Sequence, residues 1–274
     1  MIEGIKQAKR LVAKADAIVI TAGAGMGVDS GLPDFRGKEG FWEAYPPLKK
    51  LGLDFQQIAN PRWFAINPAL AWAFYGHRLQ LYRDTTPHKG FSLLLELVQN
   101  KNKNYFIYTS NVDGQFQKAG FSADKIVEAH GSIHHTQCTV CDRGIKSAKK
   151  ITIELKSEKF EASQIPRCEK CDSVLRPNIC MFDDNLTWDE TRVASQAERF
   201  DKWIKKCVQD DKNILIIELG AGKKISHIRD KSEALATRLK TKMIRINPRD
   251  YRLYDKLGVS LACGALEGLE MLLL

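Results

Sequence analysis

Short apolar runs alternate with amphipathic stretches along this chain. Residues 4–15 carry apolar positions at helical spacing, which predicts a helix. Residues 17–21 form a continuous apolar run that is rich in β-branched residues, and a cluster of glycines follows it. Because a parallel strand is buried on both faces, this run predicts a buried strand leading into a glycine-rich loop.

Further strands follow at intervals. We expect them at residues 104–109, 125–129, 178–182, 213–218 and 242–247. Helical stretches separate them, including an aromatic-rich stretch at 61–84, which we interpret as core packing, and a helix that opens at residues 86–87. Alternating strands and helices predict an α/β fold with a doubly wound parallel sheet. Such sheets bind ligands at the carboxyl ends of their strands.

The length, hydrophobic content and net charge of the chain limit the classes of protein to which it can belong. The chain has 274 residues, of which 44% are hydrophobic, and a net charge of +9. It is long enough for one large domain or two modest ones. No apolar run is long enough to span a bilayer, and the first residues lack a secretory signal pattern, so we expect a cytoplasmic protein without a membrane partner. The basic residues are dispersed, which predicts no specific nucleic-acid partner, and the oligomeric state stays open.

The loop after the first predicted strand is the first candidate for chemistry. Residues 23–27 read Gly-Ala-Gly-Met-Gly, and residues 28–37 read Val-Asp-Ser-Gly-Leu-Pro-Asp-Phe-Arg-Gly. Glycines let backbone amides approach a pyrophosphate, although a plain structural turn is the alternative. The acidic residue that dehydrogenases place about 20 residues later is not evident, which argues against that class. The second stretch could cover a bound dinucleotide and exclude water.

Two further candidates stand at predicted strand ends. Residues 109–114 read Thr-Ser-Asn-Val-Asp-Gly, and residues 128–132 read Glu-Ala-His-Gly-Ser. The Asn and Asp side chains can hydrogen-bond a ribose or an amide, with a simple Asx turn as the alternative. His130 can serve as a general base near neutral pH, whereas a single histidine is often only structural. We give the structural interpretation to the other histidines, which are His77, His88, His134, His135 and His227.

Four of the seven cysteines form two C-x-x-C pairs, Cys138/Cys141 and Cys168/Cys171. Two such pairs can bring four thiolates into tetrahedral coordination around Zn²⁺. Four sulfurs leave no open position on the metal, so the zinc would be structural. Buried free thiols are the alternative, but they do not account for the paired spacing. Seven cysteines are too few for a disulfide scaffold of this length.

Taken together, these motifs resemble the sirtuin family. The resemblance rests on residues 23–25 with 30–37, on 109–114 with Ala119-Gly120, and on His130-Gly131-Ser132 followed by the cysteine pairs. Residues 176–182 and Ile246-Asn247 resemble later motifs of the family, so the likeness covers most of the chain. It implies NAD as a consumed co-substrate, structural Zn²⁺, and an acylated lysine of a protein as the other substrate. The implied products are free lysine, nicotinamide and O-acyl-ADP-ribose.

The resemblance also implies how the chain is divided. A single sirtuin-type domain, residues 1–274, would contain a Rossmann lobe and a smaller lobe. The Rossmann lobe would comprise about residues 1–42, 85–136 and 176–274. The smaller lobe would combine a helical module, about 43–84, with a four-cysteine zinc module, about 137–175. NAD and the acylated lysine would meet in the cleft between the lobes.

Individual residues take roles from the same resemblance. His130 would be the general base that deprotonates a ribose hydroxyl after nicotinamide has left, and Asn111 would be catalytic through its contact with the ribose. Phe182 would line the tunnel for the acylated lysine, and the four paired cysteines would be the metal ligands. The implied cofactor-binding residues are Gly23, Ala24, Gly25, Asp34, Phe35, Arg36, Ser110, Asn111, Val112, Asp113, Gly220, Ala221, Gly222, Asn247 and Cys263.

Several positions depart from the family's usual residues. Met26-Gly27 replaces Ile/Leu-Ser, Ser110 replaces glutamine, Asp183-Asp184 replaces Gly-Glu, and Ala221-Gly222 replaces Thr-Ser. Three functions therefore stay open. The leading hypothesis is an NAD-dependent protein-lysine deacylase, most simply a deacetylase. An NAD glycohydrolase or ADP-ribosyltransferase on the same fold is the alternative, and an NAD-binding module with little turnover is the third. Nicotinamide release with and without an acyl-lysine peptide separates them.

Overall fold

The structure is a computed structural model that describes residues 2–33, 37–156, 159–184 and 186–274. Its strands are β1 (Ala17–Ala22), β2 (Tyr105–Thr109), β3 (Ile126–Glu128), β4 (Gly131–Cys138), β5 (Lys146–Ser147), β6 (Leu175–Ile179), β7 (Ile214–Leu219), β8 (Lys242–Ile246) and β9 (Gly258–Leu261). Its helices are α1 (Ile2–Lys14), α2 (Gly37–Ala44), α3 (Pro46–Lys50), α4 (Phe55–Ile58), α5 (Trp63–Ile66), α6 (Pro68–Asp84), α7 (Lys89–Asn100), α8 (Gln115–Lys118), α9 (Thr191–Gln209), α10 (His227–Leu239) and α11 (Ala265–Leu273).

A parallel sheet forms the larger part of the molecule. Its strand order is β3-β2-β1-β7-β8-β9, and each neighbouring pair is parallel. The chain reverses its direction of progress through the sheet between β1 and β7, where Ala22 lies in register with Leu219. The predicted α/β class with a doubly wound sheet is therefore confirmed. In such sheets, ligands bind in the crevice at this reversal, beyond the carboxyl ends of the strands.

Helices cover both faces of the parallel sheet. In β1, Ile18, Ile20 and Ala22 belong to a core that includes residues of α1, α7 and α11. Ala17 and Val19 of the same strand belong to a second core, with residues of α9 and α10. Every residue of β1 is buried. Because both faces are covered, polar groups that must reach a ligand are confined to the strand ends.

A second, smaller sheet has the order β5-β4-β6, with antiparallel pairing. Together with residues of α2 to α6 it forms a third hydrophobic core. Trp72 of α6 is 1% exposed, and its indole N–H donates to the carbonyl of Leu175 in β6 at 2.7 Å. The aromatic-rich stretch is thus core packing, as predicted. The helical segment and the cysteine-bearing segment share one core and depend on each other for burial.

The strand expected at 178–182 differs from the prediction. It is β6, which spans Leu175–Ile179 and pairs antiparallel with β4 instead of joining the parallel sheet. An apolar run alone does not reveal which strand it pairs with. The edge strand β9 has no predicted counterpart, because its four residues do not form a long apolar run.

The helices also differ in detail from the expectation. The stretch 61–84 is divided into α5 and α6, because Pro68 cannot continue a helix and Asn67 caps the new one by accepting from Leu70 N–H. The helix expected to open at 86–87 begins instead at Lys89, where the His88 ring accepts a hydrogen bond from Gly90 N–H. No helix in the described ranges combines the length and the apolarity needed to cross a membrane.

Candidate functional site

The loops after β1 and β7 meet at the reversal point of the parallel sheet. Gly23 N–H donates to the carbonyl of Leu219, and Gly25 N–H donates to the carbonyl of Gly220, both at 3.0 Å. Gly220 has a φ of +59°, which favours glycine. A Cβ on Gly25 would lie 2.7 Å from Cα of Gly220, so the two backbones leave no space for a side chain. The predicted glycine loop and residues 220–222 therefore form one unit.

The loop after β2 is attached to the same unit. The Thr109 hydroxyl donates to the carbonyl of Ala22 at 2.9 Å, and Ser110 N–H donates to that carbonyl at 3.1 Å. The Asn111 side-chain amide donates to the carbonyl of Gly23 at 3.0 Å. Asn111 is half-buried, and this bond holds its side chain against the start of the glycine loop. The structure thus brings together the residues predicted after β1, β2 and β7.

Asn247 lies beyond β8 and has no exposed surface. Its amide N–H donates to the carbonyl of Ala221 at 2.9 Å, and its amide oxygen accepts from the N–H groups of Arg249 and Asp250. It therefore shapes the loop after β7, and its contact with a ribose stays a prediction. Cys263 follows β9 and is buried, which raises the pKa of its thiol to about 11. That thiol is neutral at physiological pH.

Asp113 is a buried carboxyl group close to these loops. Burial raises its pKa to about 6, although its carboxylate accepts a hydrogen bond from Gln115 N–H at 2.9 Å. The backbone carbonyl oxygen of Asp113 accepts a hydrogen bond from Nε2 of His134 at 2.9 Å. Val112 lies beside it, and the Val112 carbonyl accepts from Ile133 N–H. The predicted residues Asp34, Phe35 and Arg36 lie outside the described residues.

His130 lies between β3 and β4, and its ring contacts a second imidazole. Nε2 of His130 is 3.0 Å from Nδ1 of His227, the first residue of α10. Nε2 of His227 is in turn 3.4 Å from the hydroxyl of Tyr108 in β2. Burial, and then the neighbouring His227, lowers the pKa of His130 to about 4, so His130 is neutral at physiological pH. The sequence predicts only a structural role for His227, and its separation of 97 residues from His130 conceals the contact.

Three other histidines make hydrogen bonds consistent with the structural interpretation. These bonds join His77 to the Tyr45 hydroxyl, His88 to the Met26 carbonyl, and His134 to the Asp113 carbonyl. The His88 bond holds the glycine loop itself, because Met26 ends the short helical turn Ala24–Met26 within that loop. His135 differs from them, since its buried Nδ1 has no hydrogen-bond partner among the described residues.

The four paired cysteines converge on one point beyond the end of β4. Their Sγ atoms all lie within 4.8 Å of one another. Individual sulfur–sulfur distances are 3.6 Å for Cys138–Cys171, 3.6 Å for Cys141–Cys168 and 3.3 Å for Cys171–Cys141. A tetrahedral zinc with bonds of about 2.3 Å requires about 3.8 Å between sulfurs, so this donor set fits the metal. Cys138 pairs with Leu175 of β6, which anchors the first cysteine pair to the small sheet.

Comparison with known proteins identifies the family. Residues 23–205 match the model of the Sir2 family. The chain belongs to the Sir2 family. That range includes the glycine loop, His130 and the four paired cysteines. The sirtuin resemblance drawn from the motifs is therefore confirmed.

Similar proteins include bacterial members of the Sir2 family. An NAD-dependent protein deacylase 1 of Caldanaerobacter subterraneus subsp. tengcongensis is 33% identical over 199 residues, covering 72% of this chain and 73% of that protein. An NAD-dependent protein deacylase of Aquifex aeolicus is 32% identical over 187 residues, covering 66% and 68%. A crystal structure of a Sir2 homologue–NAD complex superposes with a TM-score of 0.71 at 23% identity, covering 98% of this chain and 92% of that one. At this identity, the superposition supports the fold.

One departure from the usual Sir2 motif is compatible with the backbone. Asp183, which replaces the glycine of Phe-Gly-Glu, has a φ of +59°. Aspartate tolerates this region better than most residues do, because its short side chain can bond locally. Its carboxylate accepts a hydrogen bond from the Asn60 side chain at 3.0 Å. The substitution therefore keeps a glycine-like conformation at this position.

The next residue, Asp184, forms a buried ion pair with Arg176 of β6. Both side chains are at most 2% exposed. The carboxylate also accepts from Met181 N–H at 3.2 Å and from the Thr187 hydroxyl at 2.5 Å. Removing one partner would leave a buried charge uncompensated, and the Met181 bond connects the pair to the residue before Phe182.

The contact between Gly25 and Gly220 leads to a prediction. Gly25→Ala should lower thermal stability and weaken NAD binding, because the new Cβ would displace the loop after β7. Overpacking of this kind costs about 1–3 kcal/mol. Zinc content should not change. Gly4→Ala in α1 is the control, since its Cβ would lie at an ordinary distance of 3.5 Å from Val259. Calorimetric NAD affinity equal to that of wild type would contradict the assignment of this loop.

Proposed function

We propose that this protein is an NAD-dependent protein-lysine deacylase that releases nicotinamide and O-acyl-ADP-ribose. One observation carries the proposal. In a chain of the Sir2 family, a neutral histidine follows β3, and this edge of the parallel sheet also bears the glycine loop and Asn111. The two bacterial relatives named above carry the name of this activity at 33% and 32% identity.

NAD binding is assigned to the loops at the strand ends. The backbone of Gly23, Ala24 and Gly25 would lie along the pyrophosphate, with the N–H groups of Gly23 and Gly25 holding the loop to Leu219 and Gly220. Residues 220–222 would complete that side. Asn111, with Ser110, Val112 and Asp113, would hold the nicotinamide half. Asn247 and Cys263 would lie at the adenine half. Residues 34–36 would cover the reacting ribose. The unit formed by the glycine loop and Gly220 supports this division, because a backbone hydrogen bond and close backbone contact hold the two loops together.

His130 supplies the base of the proposed reaction. The acyl oxygen of the substrate lysine displaces nicotinamide from the ribose carbon, and a ribose hydroxyl must then lose its proton to attack the acyl group. A pKa of about 4 makes His130 a weaker base than an ordinary histidine, yet leaves it unprotonated at all pH values above about 5. It is therefore available throughout the physiological range, whereas an ordinary histidine is already half-protonated at a pH of about 6.5.

The substrate side favours deacylation over the alternatives. Phe182 would line the tunnel for the acylated lysine. Its N–H donates to the Ala59 carbonyl at 2.9 Å, and its ring meets Phe55 edge-on at 5.9 Å. Asp183 and Asp184 fix the chain after Phe182 through the bond to Asn60 and the ion pair with Arg176. The altered residues at 182–184 are the observation that keeps NAD hydrolysis or ADP-ribosyl transfer as a second candidate. Ser110 and the loss of two hydroxyls at Ala221-Gly222 keep an NAD-binding module with little turnover as the third.

We further propose that the cysteine cluster binds a structural Zn²⁺. Cys138, Cys141, Cys168 and Cys171 would be its ligands, and four sulfurs leave no position for a substrate. The metal would organise the zinc module, about 137–175, beside the helical module, about 43–84. The remaining ranges, about 1–42, 85–136 and 176–274, would form the Rossmann lobe of one domain, except for β4 and β6, which pair with each other in the small sheet. Thiol ligands require a reducing compartment, which supports the cytoplasm.

The decisive test compares nicotinamide release with and without acyl-lysine peptides. The purified protein is incubated with NAD and a panel of peptides that differ only in the acyl chain. We expect nicotinamide release to depend on the peptide and to match the amount of O-acyl-ADP-ribose formed. Rapid release without a peptide would establish the glycohydrolase instead. Tight NAD binding with no release under any condition would indicate a binding module.

A further inference from the structure

The contact between the imidazoles of His130 and His227 is not explained by any motif of the sequence. His130 and His227 lie 3.0 Å apart through Nε2 and Nδ1, with ring centroids at 5.1 Å and an interplanar angle of 31°. On the far side, the ring of His227 meets Tyr108 edge-on at 5.9 Å, with Nε2 at 3.4 Å from the hydroxyl. The side chains of His130, His227 and Tyr108 therefore form a chain of polar contacts that runs from the predicted base to strand β2.

The surroundings of His227 keep its ring neutral. Burial lowers its pKa, and the ammonium group of Lys231, one turn further along α10, lowers it again. Nζ of Lys231 lies 4.8 Å from the centre of the Tyr108 ring. Asp230 opposes this effect, but its carboxylate accepts a hydrogen bond from the Ser226 hydroxyl. His227 is also the first residue of α10, where the helix dipole disfavours a positive charge.

Only one direction of the hydrogen bond is compatible with a base at His130. A neutral imidazole has one N–H and one lone pair. If His227 donated to Nε2 of His130, the other nitrogen of His130 would carry its proton and no lone pair would be available. If Nε2–H of His130 donates to His227, Nδ1 of His130 keeps a lone pair. Nδ1 of His130 makes no hydrogen bond to any residue that the structure describes.

We propose that His227 is a positioning residue for the general base: its Nδ1 accepts a hydrogen bond from Nε2–H of His130 and so leaves Nδ1 of His130 as the basic atom. The inference rests on the proposed function, since it assigns a partner to the base of that reaction. The N–H on Nε2 of His227 is then directed to the Tyr108 hydroxyl. When Nδ1 of His130 takes the proton of the ribose hydroxyl, the imidazolium keeps its bond to His227, and the proton later leaves to water.

The proton position can be tested without any activity measurement. ¹⁵N NMR of the histidine side chains distinguishes a protonated from an unprotonated ring nitrogen, and His130→Ala identifies the signals of His130. We expect Nε2 of His130 to be protonated and Nδ1 bare in the wild-type protein. His227→Leu should allow both tautomers, whereas His227→Asn should preserve the wild-type pattern, because its amide oxygen can occupy the place of Nδ1. A wild-type His130 protonated on Nδ1 would overturn the proposal.

The same two variants separate positioning from folding in kinetics. Leu and Asn have nearly the same shape, so they differ mainly in hydrogen bonding. His227→Leu should slow O-acyl-ADP-ribose formation about 10- to 100-fold, as expected for a lost hydrogen bond to a charged group, while nicotinamide exchange persists. His227→Asn should restore most of the rate.

The outcomes distinguish this inference from the proposed function. Equal deacylation rates for wild type, His227→Leu and His227→Asn would overturn the role of His227 and leave the deacylase intact. Release of nicotinamide by wild type without a peptide would refute the deacylase, while the NMR result would still decide the direction of the hydrogen bond.

Discussion

His130→Ala is expected to lower O-acyl-ADP-ribose formation by about 10²–10⁴-fold, which is the usual contribution of a general base. The loss should fall on the second half of the reaction, because the base acts only after nicotinamide has left. The variant should therefore still bind NAD and still exchange nicotinamide when an acyl-lysine peptide is present. Nicotinamide exchange should exceed deacylation in this variant, in contrast to the wild-type protein.

The measurement is the pair of rates for nicotinamide exchange and O-acyl-ADP-ribose formation, each with and without an acetylated peptide. His135→Ala is a matched control, since His135 is also a half-buried histidine whose pKa is lowered to about 4 by burial, and its Nδ1 has no partner among the described residues. It should deacylate like the wild-type protein. Undiminished deacylation by His130→Ala would remove His130 from the mechanism.

Cys168→Ser is expected to have the largest effect on stability. A four-cysteine zinc site contributes about 10–16 kcal/mol of apparent binding free energy, which is folding free energy for the segment that it organises. Cys168 is 2% exposed and belongs to the same core as Trp72 and Leu175. Loss of this ligand should release the metal and loosen that core, with a lower unfolding temperature and a changed tryptophan fluorescence.

Zinc content by elemental analysis and thermal unfolding together test this expectation. Cys207→Ser is the control: Cys207 is a buried cysteine of α9 whose thiol donates to the Asn104 side chain, a bond that serine can also make. It should retain stoichiometric zinc. If the wild-type protein contains no stoichiometric zinc after purification, the cysteine cluster has another role.

The sequence predicted most of the parallel sheet and the cysteine cluster for physical reasons. Strands buried on both faces are mainly apolar, so β1, β2, β7 and β8 were visible at residues 17–21, 104–109, 213–218 and 242–247. The charged residues that interrupt β7 and β8, Glu218 and Arg245, are buried as an ion pair. The two C-x-x-C pairs predicted the cysteine cluster, because each pair can present two thiolates to one metal ion. The glycine loop was found for a similar reason, because few residue types tolerate such close backbone contacts.

The features that sequence reasoning missed depend on pairing across long separations. The run at 178–182 was visible, but its antiparallel pairing with β4 depends on where the cysteine segment returns. The partner of His130 is supplied by the first turn of α10, and no local pattern around His227 indicates it. The reason for a glycine at position 25 also differs from the expectation. The sequence suggested that a glycine is needed for a pyrophosphate to approach, but in the structure a side chain at Gly25 would already collide with the backbone of Gly220.

The close backbone contact between Gly25 and Gly220 limits which mutations this sequence can accept. Each position excludes a side chain because of the backbone, not the side chain, of the other: a Cβ on Gly220 would lie 2.3 Å from the carbonyl carbon of Gly25. A damaging replacement at one position therefore cannot be relieved by a smaller residue at its partner, which is already the smallest. Searches for second-site suppressors of Gly25→Ala should recover changes elsewhere in the protein, or reversion, and none at residue 220.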